Sequence, residues 1–230
     1  MSDRFLGVLL VLLAVTGPAL AAEPAAEAPD PDPGRFAASI AAFVTLDSKN
    51  ALPHDPILFV GSSSIRLWPT AMAFPGRPVV NRGFGGAELS DVIHYYDQTI
   101  RPYRPAQVFL YAGDNDIAGG KSARQVFEDY RELAERVTRD FPGTHLVFIS
   151  IKPSTARWEM WPTMVEANRL VREYAEEHDN LEFADLASPL LDDAGMPKNV
   201  YVEDGLHLNE WGYRLWQEAL APFLGEVSGQ

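Results

Sequence analysis

Four short runs of apolar residues, each ending close to a glycine or proline, constrain this chain more than any other feature. Ile57 to Val60 stops at Gly61, and Val79-Val80-Asn81 runs into a glycine-rich turn. Val108 to Tyr111 ends near Gly113, and Leu146 to Ile151 ends at Pro153; Leu181 to Phe183 is a weaker fifth run. Uninterrupted apolar runs of this length predict strands buried on both faces, as in a parallel sheet covered by helices. The segments between them carry helical spacing. Val126, Tyr130, Leu133 and Val137 fall on one face at i, i+4, i+7 and i+11, and Met164, Ala167, Leu170, Val171 and Tyr174 form a second such stripe. Asn209 is placed to cap a last helix running through Trp211, Leu215 and Leu220. Strand and helix alternate, so the expected fold class is a doubly wound α/β domain, with functional groups on loops beyond the C-terminal strand ends.

The flanks divide the chain. Arg4 precedes an uncharged, Leu- and Val-rich segment that Gly17-Pro18 breaks, and Ala19-Leu20-Ala21 supplies a small-x-small cleavage pattern. Residues 1–21 are expected to be a signal peptide of an exported protein, periplasmic or secreted. Contact with a membrane arises only if that segment is left uncleaved as an anchor. Residues 22–34 are rich in Ala, Pro and acidic groups and read as a linker. Residues 35–230 then form one domain without repeats. A net charge of -13 argues against nucleic acid as a partner, because phosphate binding needs clustered Lys and Arg. The chain has no Cys, so no disulfide can hold it and it relies on its core.

Four loops carry polar residues that packing alone does not require. Gly61-Ser62-Ser63-Ser64-Ile65 puts serines on a tight strand-to-helix turn, where a nucleophile is exposed and a helix start favours negative charge; helix capping is the other use of such serines. Asn81-Arg82-Gly83-Phe84-Gly85-Gly86 brings flexible backbone near a ligand, or is only a sharp turn, and its spacing is not that of a dinucleotide fingerprint. Gly113-Asp114-Asn115-Asp116 offers a side-chain amide for an oxyanion; Asp114 and Asp116 are alternatively acids for a hard cation. Asp204-Gly205-Leu206-His207 pairs an imidazole with a carboxylate three residues earlier, which in a tight turn fixes the tautomer. His54, His94, His145 and His178 lie outside these loops.

In order and spacing the four segments resemble the SGNH (GDSL-type) hydrolase family. Phe59 to Ile65 is similar to its first block and aligns Ser63 with the nucleophile. Gly86 matches the glycine of the second block and Asn115 the asparagine of the third. Asp204-Gly205-Leu206-His207-Leu208-Asn209 matches the Asp-x-x-His block. Ser62 stands where the family usually has Asp, and the serine run leaves Ser64 as the alternative register. The resemblance implies a three-layer α/β/α, flavodoxin-like sheet of about five parallel strands. It also implies carboxylic ester hydrolysis through Ser63, His207 and Asp204. The Ser63 and Gly86 N–H groups and the Asn115 amide would then serve as oxyanion donors. It implies no cofactor and no metal. The expected partner is a small-molecule or glycan ester, with a short acyl or acetyl group. Trp158 and Trp161 are candidates for a sugar platform or for core cover. A lysophospholipase or thioesterase on the same scaffold, a metal-assisted phosphoesterase using Asp114, Asp116, Asp204 and His207, and a non-catalytic glycan-binding module are the competing readings.

Overall fold

The computed structural model describes residues 27–224. The expected signal peptide lies outside the described residues. In chain order the elements are α1 (Ala37–Asp47), β1 (Ile57–Gly61), α2 (Ser63–Arg66), α3 (Thr70–Ala73), β2 (Val79–Gly83), α4 (Leu89–His94), α5 (Tyr96–Thr99) and β3 (Gln107–Tyr111). They continue with α6 (Asp114–Ala118), α7 (Ala123–Asp140), β4 (His145–Ile149), α8 (Trp161–Glu176), β5 (Leu181–Ala184) and α9 (Glu210–Leu220). The strands pair in parallel in the order β2-β1-β3-β4-β5. This is the flavodoxin-like order of a doubly wound sheet.

Burial on both faces explains why the strands read as unbroken apolar runs. Along β1, Leu58 and Val60 join a core shared with Val126, Tyr130 and Val137 of α7 and Met164 and Val171 of α8. Ile57 and Phe59 point to the opposite core, with Trp68, Tyr111 and Trp216. The result is three layers, α/β/α. A capping box starts α7: Gln125 N–H donates to Ser122 Oγ at 3.2 Å, and Ser122 N–H donates to Gln125 Oε1 at 3.1 Å.

Two expectations shift. Asn209 does cap α9, accepting from Gly212 N–H at 3.1 Å, but the buried stripe is Gly212, Trp216 and Leu220 while Trp211 stays 53% exposed. The i, i+4, i+8 line places the Trp216 indole in the core with Trp68 and Tyr111, where its Nε1–H donates to Leu186 O at 3.0 Å. The described part of the expected linker, residues 27–34, lies against the domain through polar bonds. Gln125 Nε2 donates to Ala28 O, Tyr95 Oη donates to Pro33 O, and Asp30 pairs with Lys121 at 2.6 Å.

Candidate active site

Ser63 stands on a turn that only glycine can start. Gly61 adopts φ 131°, and a Cβ there would lie 1.9 Å from Tyr111 O. The chain then turns so that Ser62 and Ser64 are buried, while Ser63 opens α2 and is partly exposed. Among the three serines, Ser63 is the one whose hydroxyl reaches out of the core. The turn is held from behind. Tyr213 Oη donates to Ser64 O at 2.9 Å, and Asn81 Nδ2 donates to Ile65 O at 2.7 Å.

Ser63 Oγ lies 3.0 Å from His207 Nε2, and His207 Nδ1 lies 2.6 Å from Asp204 Oδ2. A carboxylate only accepts, so the Nδ1–H faces Asp204 and Nε2 is left to accept from the Ser63 hydroxyl. Asp204 Oδ1 accepts the Leu206 and His207 N–H groups at 2.8 and 2.9 Å. The bond from His207, reinforced by these two N–H groups, lowers the Asp204 carboxyl to about 2.

The Asp204–His207 turn is itself gripped by the loop after β4. Lys152, 1% exposed, donates from Nζ to Leu206 O at 2.8 Å. Thr155 Oγ1 and Ala156 N–H both donate to Gly205 O at 3.0 Å. Gly205 has φ 66°, and a Cβ would strike Thr155 Oγ1 at 2.4 Å, so the turn requires glycine twice over. Burial pushes the Lys152 ammonium down to about 8, against the pull of Asp114, whose Oδ2 lies 4.0 Å from Nζ.

The two expected donor loops lie side by side. Gly86 is exposed with φ 86°, open space surrounds its Cβ position, and its N–H has no partner among the described residues. Asn115 Nδ2 donates to Ala87 O at 3.0 Å, which ties the third loop to the second. Asn115 Oδ1 accepts from Arg157 Nη2 at 3.0 Å, and Arg157 Nη1 pairs with buried Asp114 at 3.1 Å. Asp116 faces away: it accepts from Leu89 N–H at 3.0 Å and lies 3.5 Å from Lys121. Asp114 and Asp116 therefore serve separate cations, Arg157 and Lys121, and do not converge with Asp204 and His207. Trp158 and Trp161 stack at 6.1 Å, both half-buried; Trp158 follows Arg157 in the chain, and Trp161 opens α8 and packs against the core. Lys152, Thr155 and Arg157 were not read as site residues from the sequence. The one local signal for them is their position just past a strand end, where this fold collects function.

Fold and site together define a class: a three-layer α/β/α enzyme with a Ser–His–Asp chain at the C-terminal strand ends. The GDSL-like Lipase/Acylhydrolase family matches residues 61–215, more than half of the chain, and the protein belongs to that family, as a carboxylic ester hydrolase. Among solved structures, a Streptococcus pneumonia protein with the working name platelet activating factor is 25% identical, with a TM-score of 0.73, covering 83% of this chain and 92% of that one. A GDSL-like lipase from Bacteroides thetaiotaomicron is 19% identical, with a TM-score of 0.66 and coverage of 84% and 96%. A catalytic mutant of an acetylxylan esterase from Geobacillus stearothermophilus is 18% identical, with a TM-score of 0.62 and coverage of 74% and 94%. No curated protein matches the chain.

Proposed function

We propose that the protein hydrolyses short acyl esters, acetyl esters of carbohydrate foremost, through an acyl-enzyme on Ser63. The observation that carries the reading is the unbroken chain Ser63 Oγ, His207 Nε2, His207 Nδ1, Asp204 Oδ2, with links of 3.0 and 2.6 Å. His207 takes the Ser63 proton as Oγ attacks the ester carbonyl, and Asp204 stabilises the imidazolium. The Ser63 and Gly86 N–H groups and the Asn115 amide receive the oxyanion. His207 then gives its proton to the leaving alcohol. Water, activated by the same imidazole, releases the acid and regenerates Ser63. The reaction draws on no cofactor.

Carbohydrate is favoured by the Trp158–Trp161 stack beside Arg157, since indole faces pack against sugar rings. The acetylxylan esterase of the same fold acts on that kind of ester by its name. Export, proposed from residues 1–21, is checked by N-terminal sequencing of the protein recovered from its native host.

The test is a panel of p-nitrophenyl acetate, butyrate and octanoate beside an acetylated xylo-oligosaccharide. Rates should fall with chain length, and the acetylated sugar should be deacetylated. Ser63→Ala should lose roughly 10⁴-fold or more in kcat, together with labelling by a fluorophosphonate, while Ser64→Ala keeps both. Full rate in Ser63→Ala overturns the nucleophile, and preference for octanoate or a lysophospholipid overturns the substrate class.

A further inference from the structure

We propose that Arg157 is a positioning residue for ester hydrolysis, holding the Asn115 amide with its NH2 toward the developing oxyanion. The inference rests on the Asn115 role proposed above and adds what makes that role possible. An asparagine amide is nearly symmetric in shape, and its value as an oxyanion donor depends on which end faces the substrate. Two neighbours here leave one orientation. Arg157 can only donate, so the Asn115 atom 3.0 Å from its Nη2 is the carbonyl oxygen. Ala87 O can only accept, so the atom 3.0 Å from it is the nitrogen. One N–H is spent on Ala87, and the second has no partner among the described residues.

Arg157 is itself anchored rather than free to follow substrate. Its side chain is largely buried and its other guanidinium nitrogen pairs at 3.1 Å with Asp114, which is almost fully buried. A guanidinium presents its hydrogen bond to Asn115 and its charge to Asp114 from one rigid plane; an ammonium cannot meet both with the same geometry. The neighbouring residues of the same loop, Lys152, Thr155 and Ala156, hold the Asp204–His207 turn. Residues 152–157 thus brace both halves of the site at once. Without Arg157, Asn115 hangs from Ala87 alone, and its donor spends time out of line. Donor alignment matters chiefly when charge builds on the carbonyl oxygen, so the loss belongs to kcat rather than to ground-state binding.

A double-mutant cycle with p-nitrophenyl acetate tests this, using Asn115→Ala, Arg157→Met and the pair. Asn115→Ala should lose ~10²–10³ in kcat, as for removal of one oxyanion donor. Arg157→Met should lose about 10-fold or more with KM little changed. The double variant should be no slower than Asn115→Ala, because Arg157 acts only through Asn115. Arg157→Lys keeps a cation for Asp114 and decides the matter if Arg157→Met does not fold: it should melt near the wild-type temperature yet lose rate. Additive losses, a change confined to KM, or full rate in Arg157→Lys overturns the proposal. Full rate in Asn115→Ala instead overturns the oxyanion reading on which it rests, so the two failures are distinguishable.

Discussion

The turn that carries His207 and the loop that carries Asn115 solve the same problem by opposite means. Asp204, Leu206 and His207 are bonded to one another across two or three residues, and Asp204 is about half exposed. Asn115 is fixed instead by Ala87 and Arg157, 28 and 42 positions away, beside buried Asp114 and Asp116. A turn bonded within itself sets its own shape and needs the loop after β4 only to seat it at the site. A loop held by distant partners keeps its shape only while those partners stay in place.

The largest test of that contrast is to weaken each arrangement at its own carboxylate or amide. Asp204→Asn leaves the turn able to form but offers an amide to His207 Nδ1. A drop of up to ~10⁴ in kcat is expected when a triad carboxylate becomes an amide, against ~10²–10³ for Asn115→Ala. The pH profile sharpens the point. The hydrogen bond from His207 holds the Asp204 carboxyl down at about 2, below its ordinary 3.8. Its contribution to stability is present above about pH 4 and is lost as pH falls toward 2. Asp204 thus stays ionised above about pH 4, so an acid limb of kcat/KM above that pH does not come from its protonation. Asp204→Asn should lower the whole profile, whereas an acid limb that vanishes in the variant contradicts the assignment.

Lys152 joins the two arrangements and gives the next effect. Lys152→Met removes the bond to Leu206 O while filling much of the same volume, and about a 10-fold loss of kcat is expected from the loosened turn, on the scale of a misplaced catalytic group. Stability should respond differently. Burial lowers the ammonium from 10.5 to about 8, with Asp114 and Asp204 opposing and Arg157 assisting that shift. Between about pH 8 and 10.5 the unfolded chain binds a proton that the folded one does not, so wild-type stability gains with pH from this group. Melting Lys152→Met across that window should give a flatter dependence; parallel curves would place the charge in solvent contact.

The same contrast explains what could be read in the sequence. Strand cores announced themselves because β1, β3 and β4 are buried on both faces, and Asp204-Gly205-Leu206-His207 announced itself because its bonds are local. Which serine faces outward did not, since three adjacent serines differ only in which one the Gly61 turn leaves exposed. Lys152 and Arg157 were silent for a stronger reason: their partners Leu206, Asp114 and Asn115 meet them only through the sheet order. Trp216, rather than Trp211, faces the core for a related reason, as spacing alone did not choose the buried side of α9.

The smallest effect falls on the far side of the Asn115 loop. Asp116 Oδ1 accepts from Leu89 N–H, and Oδ2 is buried without a hydrogen bond. Burial raises its carboxyl from 3.8 to about 7, although Lys121 nearby opposes the rise. A raised carboxyl stabilises the fold fully below about pH 4, and that contribution disappears as pH climbs to about 7. The slope is at most ~1.4 kcal/mol per pH unit across that window. Asn keeps the acceptor for Leu89 and cannot ionise, so Asp116→Asn should resemble wild type in urea melts at pH 4.5 and exceed it at pH 8. Lys121 retains Asp30, Glu88 and Asp129 when Asp116 is neutralised, so its own charge is not orphaned. Because Leu89 and Ala87 belong to the segment that follows Gly86, this stability change should leave kcat unaltered if the Asn115 loop is aligned by Arg157 and Ala87 alone. A drop in kcat that tracks the ionisation of Asp116 would instead make the buried acid a third anchor of the oxyanion side.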